Sequence, residues 1–294
     1  MLKNENSAIG PRTKRLKVYI PALYEAPHEE RAAFFGFSGA EAKVSYPIDL
    51  KLAEKYFDVV TDKVEGKNIK RLTKAQLKGV DLFLIPAKDP GNTSSQDGRN
   101  DEGAFVPVTR QYLPYTADGP HVRKVSIAGD TLPDGTRQNR SYYGQKALTT
   151  NPEQLDQILT LAGKAKKMGI PSVVAMFAGK PLCFHEFEPA VDGILLAFAG
   201  MGVSVSACEA ILSIAAGQCE PCGLLPMQMP KDMDDIERQA EDTPRDMECY
   251  TDSVGHKYDF AYGMNYAGVI KDDRVKKYAV PPYLRPENRG VIEA

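Results

Sequence analysis

The sequence has no tryptophan, only four histidines and only five cysteines in 294 residues. The cysteines (Cys183, Cys208, Cys219, Cys222 and Cys249) are an odd and sparse set for a chain this long. That excludes a disulfide framework and points to a reducing compartment, cytoplasmic by default. No apolar run approaches the ~18 to 20 residues that a membrane helix needs. The longest, around Ile194 to Met201, is far shorter, and mean hydropathy is −0.35. The first residues carry charge but no apolar stretch before a cleavage site, so no signal peptide is expected. An excess of positive charge is also missing. Lys plus Arg number 37 against 39 for Asp plus Glu, a net charge of −2. Nucleic-acid partners, which need concentrated positive charge, are therefore not expected. No G-x-G-x-x-G or P-loop follows a strand-like run, so neither a nucleotide nor another cofactor is expected. Internal repeats and low-complexity tracts are absent too.

What is present is average globular composition, 43% apolar and 26% charged, with alternating strand-like and helix-like segments. Leu16 to Pro21 reads as a strand, and Ala42 to Tyr46 and Phe57 to Thr61 as weaker ones. Between the latter two, Asp49 to Tyr56 reads as a short helix, and Thr73 to Lys78 as another, stopped by Gly79. Val80 to Pro86 is apolar nearly throughout, as a strand buried on both faces should be. Residues 87–150 are long, irregular and rich in Gly, Pro, Asn, Asp and Tyr. Insertions of that length are often functional, which makes this the first place to look for a site. Regular structure resumes at Asn151, a predicted N-cap followed by Pro152, Glu153 and helical spacing of Leu155, Ile158, Leu159 and Ala162 up to Gly169. Ser172 to Phe177 and Ile194 to Ala199 are further strands, and Ala207 to Ala216 a helix ending at Gly217. The alternation predicts an α/β fold: an open, mainly parallel sheet with helices on both faces and one long irregular insertion.

Four segments then form a pattern. They are Gly179-Lys180-Pro181-Leu182 after a strand, Val191 to Phe198, the turn Gly217 to Pro230 and Tyr258 to Tyr266 (YDFAYGMNY). Together they resemble the C-terminal α/β-sandwich domain of glycoside hydrolase family 3, the β-glucosidase and β-xylosidase family. Leu2-Lys3-Asn4 is similar to the linker motif that precedes this domain in the family, so the resemblance covers about residues 1 to 270. It divides the chain into a linker-like segment 1–16, the sandwich 17–270 and an extended tail 271–294. What the resemblance implies is hydrolysis of O-glycosyl bonds, with a carbohydrate β-glycoside as substrate and a (β/α)8 barrel as partner.

The resemblance also implies a division of labour. A retaining glycosidase uses two carboxyl groups about 5 to 5.5 Å apart. In this family the nucleophile is a barrel Asp, often in a Ser-Asp-Trp motif, and this tryptophan-free sequence begins after the point where a barrel would end. The nucleophile is thus expected on another polypeptide segment, and the chain alone is expected to be inactive. The acid/base of many members lies in the loop after the Val80-to-Pro86-type strand, near a Gly-x-x-Arg element. Here no Glu occupies the expected place. Asp97 is the nearest carboxylate by context, with Asp101 and Glu102 as alternatives, and a solvated loop without a catalytic group is a further one.

Arg99, Arg110, Tyr112, Tyr115, Arg140 and Tyr142 are the candidate sugar contacts, grouped with Arg137 and Tyr143. Tyrosine faces stack on sugar rings and guanidinium groups fork onto hydroxyls or carboxylates. The alternative is that these side chains pack a long loop against the sheet. Cys219-x-x-Cys222 has metal-ligand spacing but no second ligand pair, so no metal is expected. His185, Glu186 and Glu188 read as an acidic helix start, and the nine carboxylates between Asp232 and Asp252 as a solvated loop. A second reading of the chain is a non-catalytic association module that docks a separate barrel chain or homo-oligomerises.

Overall fold

The computed structural model describes residues 1–32, 36–92, 98–100, 102–127, 129–198, 204–239 and 245–278, with the side chains of residues 28–40 and 278 excepted. Asp97 and Asp101 lie outside the described residues, as does the predicted tail beyond residue 278.

Six strands form the central sheet: β1 (Lys3–Asn4), β2 (Lys17–Tyr19), β3 (Asp58–Val60), β4 (Leu82–Lys88), β5 (Ser172–Ala178) and β6 (Gly193–Phe198). Their order is β1-β6-β5-β4-β2-β3. Every pair is parallel except β1 with β6. β4 and β5 are the longest, at seven residues each, and all fourteen residues except Lys88 are buried. Such uninterrupted burial requires cover on both sides, which is why Val, Ile, Leu and Phe follow one another without alternation.

Helix α1 (Glu153–Met168) lies against β4 and β5 and buries Leu155, Ile158, Leu161, Ala162 and Ala165. It ends at Gly169, whose φ of 67° is the left-handed stop that the sequence predicts. Helix α2 (Val205–Ala215) packs on β6 and against Leu50–Ala53, a short helix that Asp49 caps. Gly217, just past α2, has a φ of 74°, and a Cβ there would stand 2.2 Å from the Gly10 carbonyl oxygen. The mainly parallel sheet with packed helices thus matches the predicted class.

The strand expected at Ala42 to Tyr46 forms as Lys43–Ser45 and pairs antiparallel with Leu23–Glu25, outside the main sheet. Two local expectations fail. Thr73 to Lys78 forms turns, because the run before Gly79 completes one i→i+4 bond, Leu77 to Thr73, and cannot propagate. Asn151 does not cap α1, since its side chain is spent on the loop after β4. Residues 1–9, predicted as linker-like, are part of the body. Met1, Leu2, Ala8 and Ile9 are buried, and β1 closes the sheet edge.

That edge is tied down by a buried ion pair. Lys3 Nζ lies 2.7 Å from Glu188 Oε1 and donates to the Glu188 carbonyl at 2.9 Å, with the two side chains 3% and 0% exposed. Tyr250 Oη donates to the second Glu188 oxygen at 2.7 Å. Near the same edge, Tyr258 and Tyr262 stack 5.1 Å apart, and Tyr262 Oη donates to the Leu2 carbonyl at 2.8 Å. The turn 217–230 is laced to this aromatic segment by Leu225 N–H to Tyr262 O and Met229 N–H to Tyr258 O. Gly263 allows the approach: a Cβ there would meet the Gly223 oxygen at 2.3 Å. Removing one member of such a pair strands a buried charge, which costs about 3 to 5 kcal/mol. Lys3→Met is therefore expected to lower unfolding stability in urea by that amount. Lys3→Met/Glu188→Gln is expected to recover part of it, and an unchanged midpoint in the single variant would contradict the assignment.

Candidate functional site

Parallel strands release their following loops at one edge of the sheet. In register, Ala87 stands opposite Met176 and Lys88 opposite Phe177, while Phe177 and Ala178 stand opposite Ala197 and Phe198. Asp89 after β4 and Gly179-Lys180 after β5 consequently emerge side by side. Asp89 N–H donates to Phe177 O at 3.1 Å, and Gly179 N–H donates to Asp89 Oδ2 at 3.1 Å.

The β4 loop is clamped by Asn151. Its Nδ2 donates to Asp89 O at 3.1 Å and its Oδ1 accepts from Gly91 N–H at 2.8 Å. A Cβ at Gly91 would lie 2.0 Å from Thr150 Oγ1, so a larger residue there would force the Thr150 side chain to turn away. Lys180 Nζ donates to Asn92 Oδ1 at 3.1 Å.

The irregular region is strapped to the same edge. Tyr112 Oη donates to Lys88 O, and Cys183 N–H donates to Arg110 O at 2.8 Å. Glu186 accepts from both Tyr112 N–H and Leu113 N–H at 2.7 Å. Glu186 therefore acts as a strap and not as the predicted acidic helix start.

The strand-end group is Asp89, Asn92, Arg110 and Lys180. Burial pushes the Asp89 carboxyl up, against the opposing pull of Gly179 N–H, Lys180 and Arg110. Burial lowers Lys180 to about 8, with Asp89 opposing and Arg110 adding to the fall. Burial also lowers Arg110. The Cys183 thiol beneath is fully buried and its pKa is raised by that burial, so it is protonated and inert. Where the strand order reverses, between β2 and β4, the edge is already closed. Lys88 Nζ pairs with Glu25 at 2.8 Å, and Ser45 and Lys43 join them. Burial alone would raise the Glu25 carboxyl, but those three partners hold it below its ordinary value.

The predicted site residues divide. Arg110 stands in the strand-end group. Tyr112 is 1% exposed, so its ring packs against Phe187 and has no face open to a sugar. Tyr115 and Tyr142 meet at a separate place: Tyr142 Oη donates to Glu237 at 2.8 Å, and Tyr115 lies in the field of the same carboxylate. Burial raises Glu237, Tyr115 and Tyr142 alike. Arg99 lies over the Phe105 ring at 4.2 Å, and Arg140 pairs with Asp130 at 2.6 Å. Glu102 is exposed. In the acidic stretch, Asp235 and Asp252 are buried and capped by Arg238 and His256, not solvated. Among the described residues no group of three His, Cys, Asp or Glu side chains is arranged to hold a metal, and no helix is long and apolar enough to cross a membrane.

Lys180, Asp89 and Asn92 were not singled out as site residues. Their signal is position: each follows within four residues of a fully apolar parallel strand, at the carboxyl edge where α/β sheets bind ligands. Two cavities lie elsewhere. One of about 750 Å³ is lined by Ser7, Arg12, Lys14, Asp81, Pro171 and Gly217, and one of about 580 Å³ by Tyr24, Ile69, Arg71, Gln157 and Leu161 among others.

The Glycosyl hydrolase family 3 C-terminal domain profile matches residues 128–266. That range holds β5, β6, α2 and all four motifs from Gly179 to Tyr266; Leu2-Lys3-Asn4 and β4 lie outside it. Beta-glucosidase C of Emericella nidulans is 30% identical over 91 residues, 31% of this chain and 14% of that protein. Among solved structures, the beta-glucosidase from Listeria innocua in complex with isofagomine is 12% identical with a TM-score of 0.41, over 90% of this chain and 31% of that one. Beta-glucosidase 3B from Thermotoga neapolitana in complex with glucose is 15% identical with a TM-score of 0.39, over 80% and 29%. The chain thus spans about a third or less of each of these three proteins.

A lysine with a midpoint near 8 is half unprotonated at pH 8, where an ordinary one near ~10.4 is unprotonated to under about 1%. Competitive acetylation read by mass spectrometry is expected to give Lys180 a reactivity midpoint near 8. Asp89→Asn is expected to lower it further, since the carboxylate is the one group raising it. A Lys180 profile matching the exposed lysines would contradict this.

Proposed function

We propose, from the match of residues 128–266 to the Glycosyl hydrolase family 3 C-terminal domain, that the chain forms one wall of a β-glycoside-cleaving pocket. A (β/α)8 barrel supplies the other wall and the nucleophile. The observation that carries this reading is the charged group at the ends of β4 and β5, on the edge from which the loop bearing Asp97, Asp101 and Glu102 departs.

The described residues contain one six-stranded sheet and several two-stranded ones, and no barrel. In the reaction, a barrel carboxylate attacks the anomeric carbon while an acid of this chain protonates the leaving oxygen. The same group then takes a proton from the water that releases the sugar. Asp97 is the acid/base in this scheme, with Asp101 and Glu102 as alternatives. Glu102 is exposed as it stands and would need burial under the barrel to hold a proton at neutral pH. Arg110 and Lys180 donate to the sugar, while Tyr142, Arg99 and Arg140 contact it only if their present partners are exchanged, and the Tyr115 hydroxyl, buried without a hydrogen-bond partner, contacts it only if uncovered.

One observation favours an association role alongside. Val108, Leu113, Val125, Ile127 and Leu148 are exposed apolar side chains on the irregular region, 41% to 71% accessible. A barrel-bearing chain, or a second copy of this one, seated there would take that surface out of water.

The purified chain is expected to leave 4-nitrophenyl β-D-glucoside unhydrolysed, because one member of a concerted carboxyl pair is supplied from outside it. Adding a family 3 barrel is expected to restore turnover, and Asp97→Asn to reduce it by about 10² to 10⁴. Vigorous hydrolysis by the chain alone would contradict the two-wall scheme. Full activity in Asp97→Asn would move the acid/base role to Asp101 or Glu102, tested in the same way.

A further inference from the structure

We propose that Arg110, Lys180 and Asn92 form a subsite for a carboxylate carried on the sugar, so that the favoured substrate class is a hexuronide in preference to a neutral hexoside. This deepens the reading above and rests on it for the presence of a sugar at the strand-end edge.

Among the described residues, Lys180 and Arg110 carry charge that no ion pair compensates. Lys180 Nζ gives one of its three donor positions to Asn92 Oδ1. Among the described residues, no carboxylate lies within 4.0 Å of its ammonium or of the Arg110 guanidinium. The backbone bond from Cys183 to Arg110 places these cations on neighbouring loops, three residues apart across the strap. Both are partly buried, and each weakens the other's charged form or has its own weakened by burial.

Among the described residues, Asp89 is the acidic neighbour that acts on both cations. One of its oxygens is already held by Gly179 N–H, and burial draws it toward the neutral form. Among the described residues, two cations therefore face one carboxylate. A hydroxyl added here offers a dipole and leaves that imbalance in place. A carboxylate offers a full charge and two acceptor oxygens, which the planar guanidinium fork and a point-like ammonium can take together. A charge-assisted pair in a partly dry site is worth more than a neutral hydrogen bond, and burial without a partner is what makes such cations costly.

The test is an amide NMR titration of the full chain at matched ionic strength, with sodium D-glucuronate, D-glucose and sodium acetate, read at Gly179 and Lys180. Glucuronate is expected to bind at least tenfold more tightly than either glucose or acetate. Lys180→Met and Arg110→Gln are each expected to reduce its advantage over glucose to under threefold, while Lys180→Arg retains it and controls for folding. Equal affinity for glucuronate and glucose would overturn the carboxylate subsite and leave the pocket-wall reading intact. Equal affinity for glucuronate and acetate would overturn the assignment to a sugar acid. No shift at Gly179 with glucuronate would overturn the subsite outright. The glucoside assay with added barrel judges the broader reading separately.

Discussion

The parallel register of β4, β5 and β6 is the constraint from which most of this molecule follows. Three neighbouring strands running the same way, each too apolar to face water, must be covered by helices and must discharge their loops at one edge. The pairing of Lys88 with Phe177 and of Ala178 with Phe198 fixes how far each strand reaches before it does so. Asp89 and Lys180 are neighbours for that reason alone, though ninety-one positions separate them in the chain. A one-residue slip of β5 against β4 would take Gly179 N–H away from Asp89, and the charged group would lose its frame.

The opposite edge of the sheet is fixed by different means. β1 is two residues long and could not hold its place by ladder bonds alone. The Lys3–Glu188 pair and the Tyr262 bond to Leu2 supply what the short ladder does not. The stacked tyrosines and the 217–230 turn carry this anchoring into the segment where the family resemblance is densest. The motifs at 217–230 and 258–266 are therefore concerned with closing the body of the domain, whereas Gly179 and Lys180 of the first motif belong to the strand-end group. The residues that face outward for chemistry sit at the other ends of the same strands.

This division explains what could be read from the residues alone. β4, β5 and α1 were legible because burial imposes a period or an unbroken apolar run, and Gly169 and Gly217 because a left-handed stop leaves few choices. Residues 87–150 obey no period. They are positioned by single side-chain bonds: Asn151 to Gly91, Glu186 to Tyr112 and Leu113, Tyr112 to Lys88. Bonds of that kind join positions about 60 to 75 apart, except the last, and leave no local trace. So Tyr112 reads as a sugar platform when it is a buried strap, and Asn151 reads as a cap when it is a clamp. Lys3 and Glu188 were hidden by the same blindness, since a buried ion pair looks in sequence like two surface charges.

A strap that is also a boundary has consequences for how the site can change. The strand-end cations are held by backbone, with Arg110 bonded through its carbonyl and Lys180 following directly on β5. Their side chains are free to trade partners without disturbing the sheet, so charge at this edge can be altered while the fold is kept. Tyr142 is in the reverse position, since Glu237, raised by burial, already accepts its hydroxyl and a ligand there must replace a hydrogen bond that is satisfied. The buried Tyr115 hydroxyl has no hydrogen-bond partner among the described residues. Between two polar groups of similar burial, the one whose charges are short of partners gains more from a ligand than the one whose bonds are complete. That inequality, and not the number of aromatic or basic residues nearby, is the reason the proposed carboxylate contacts are Arg110 and Lys180.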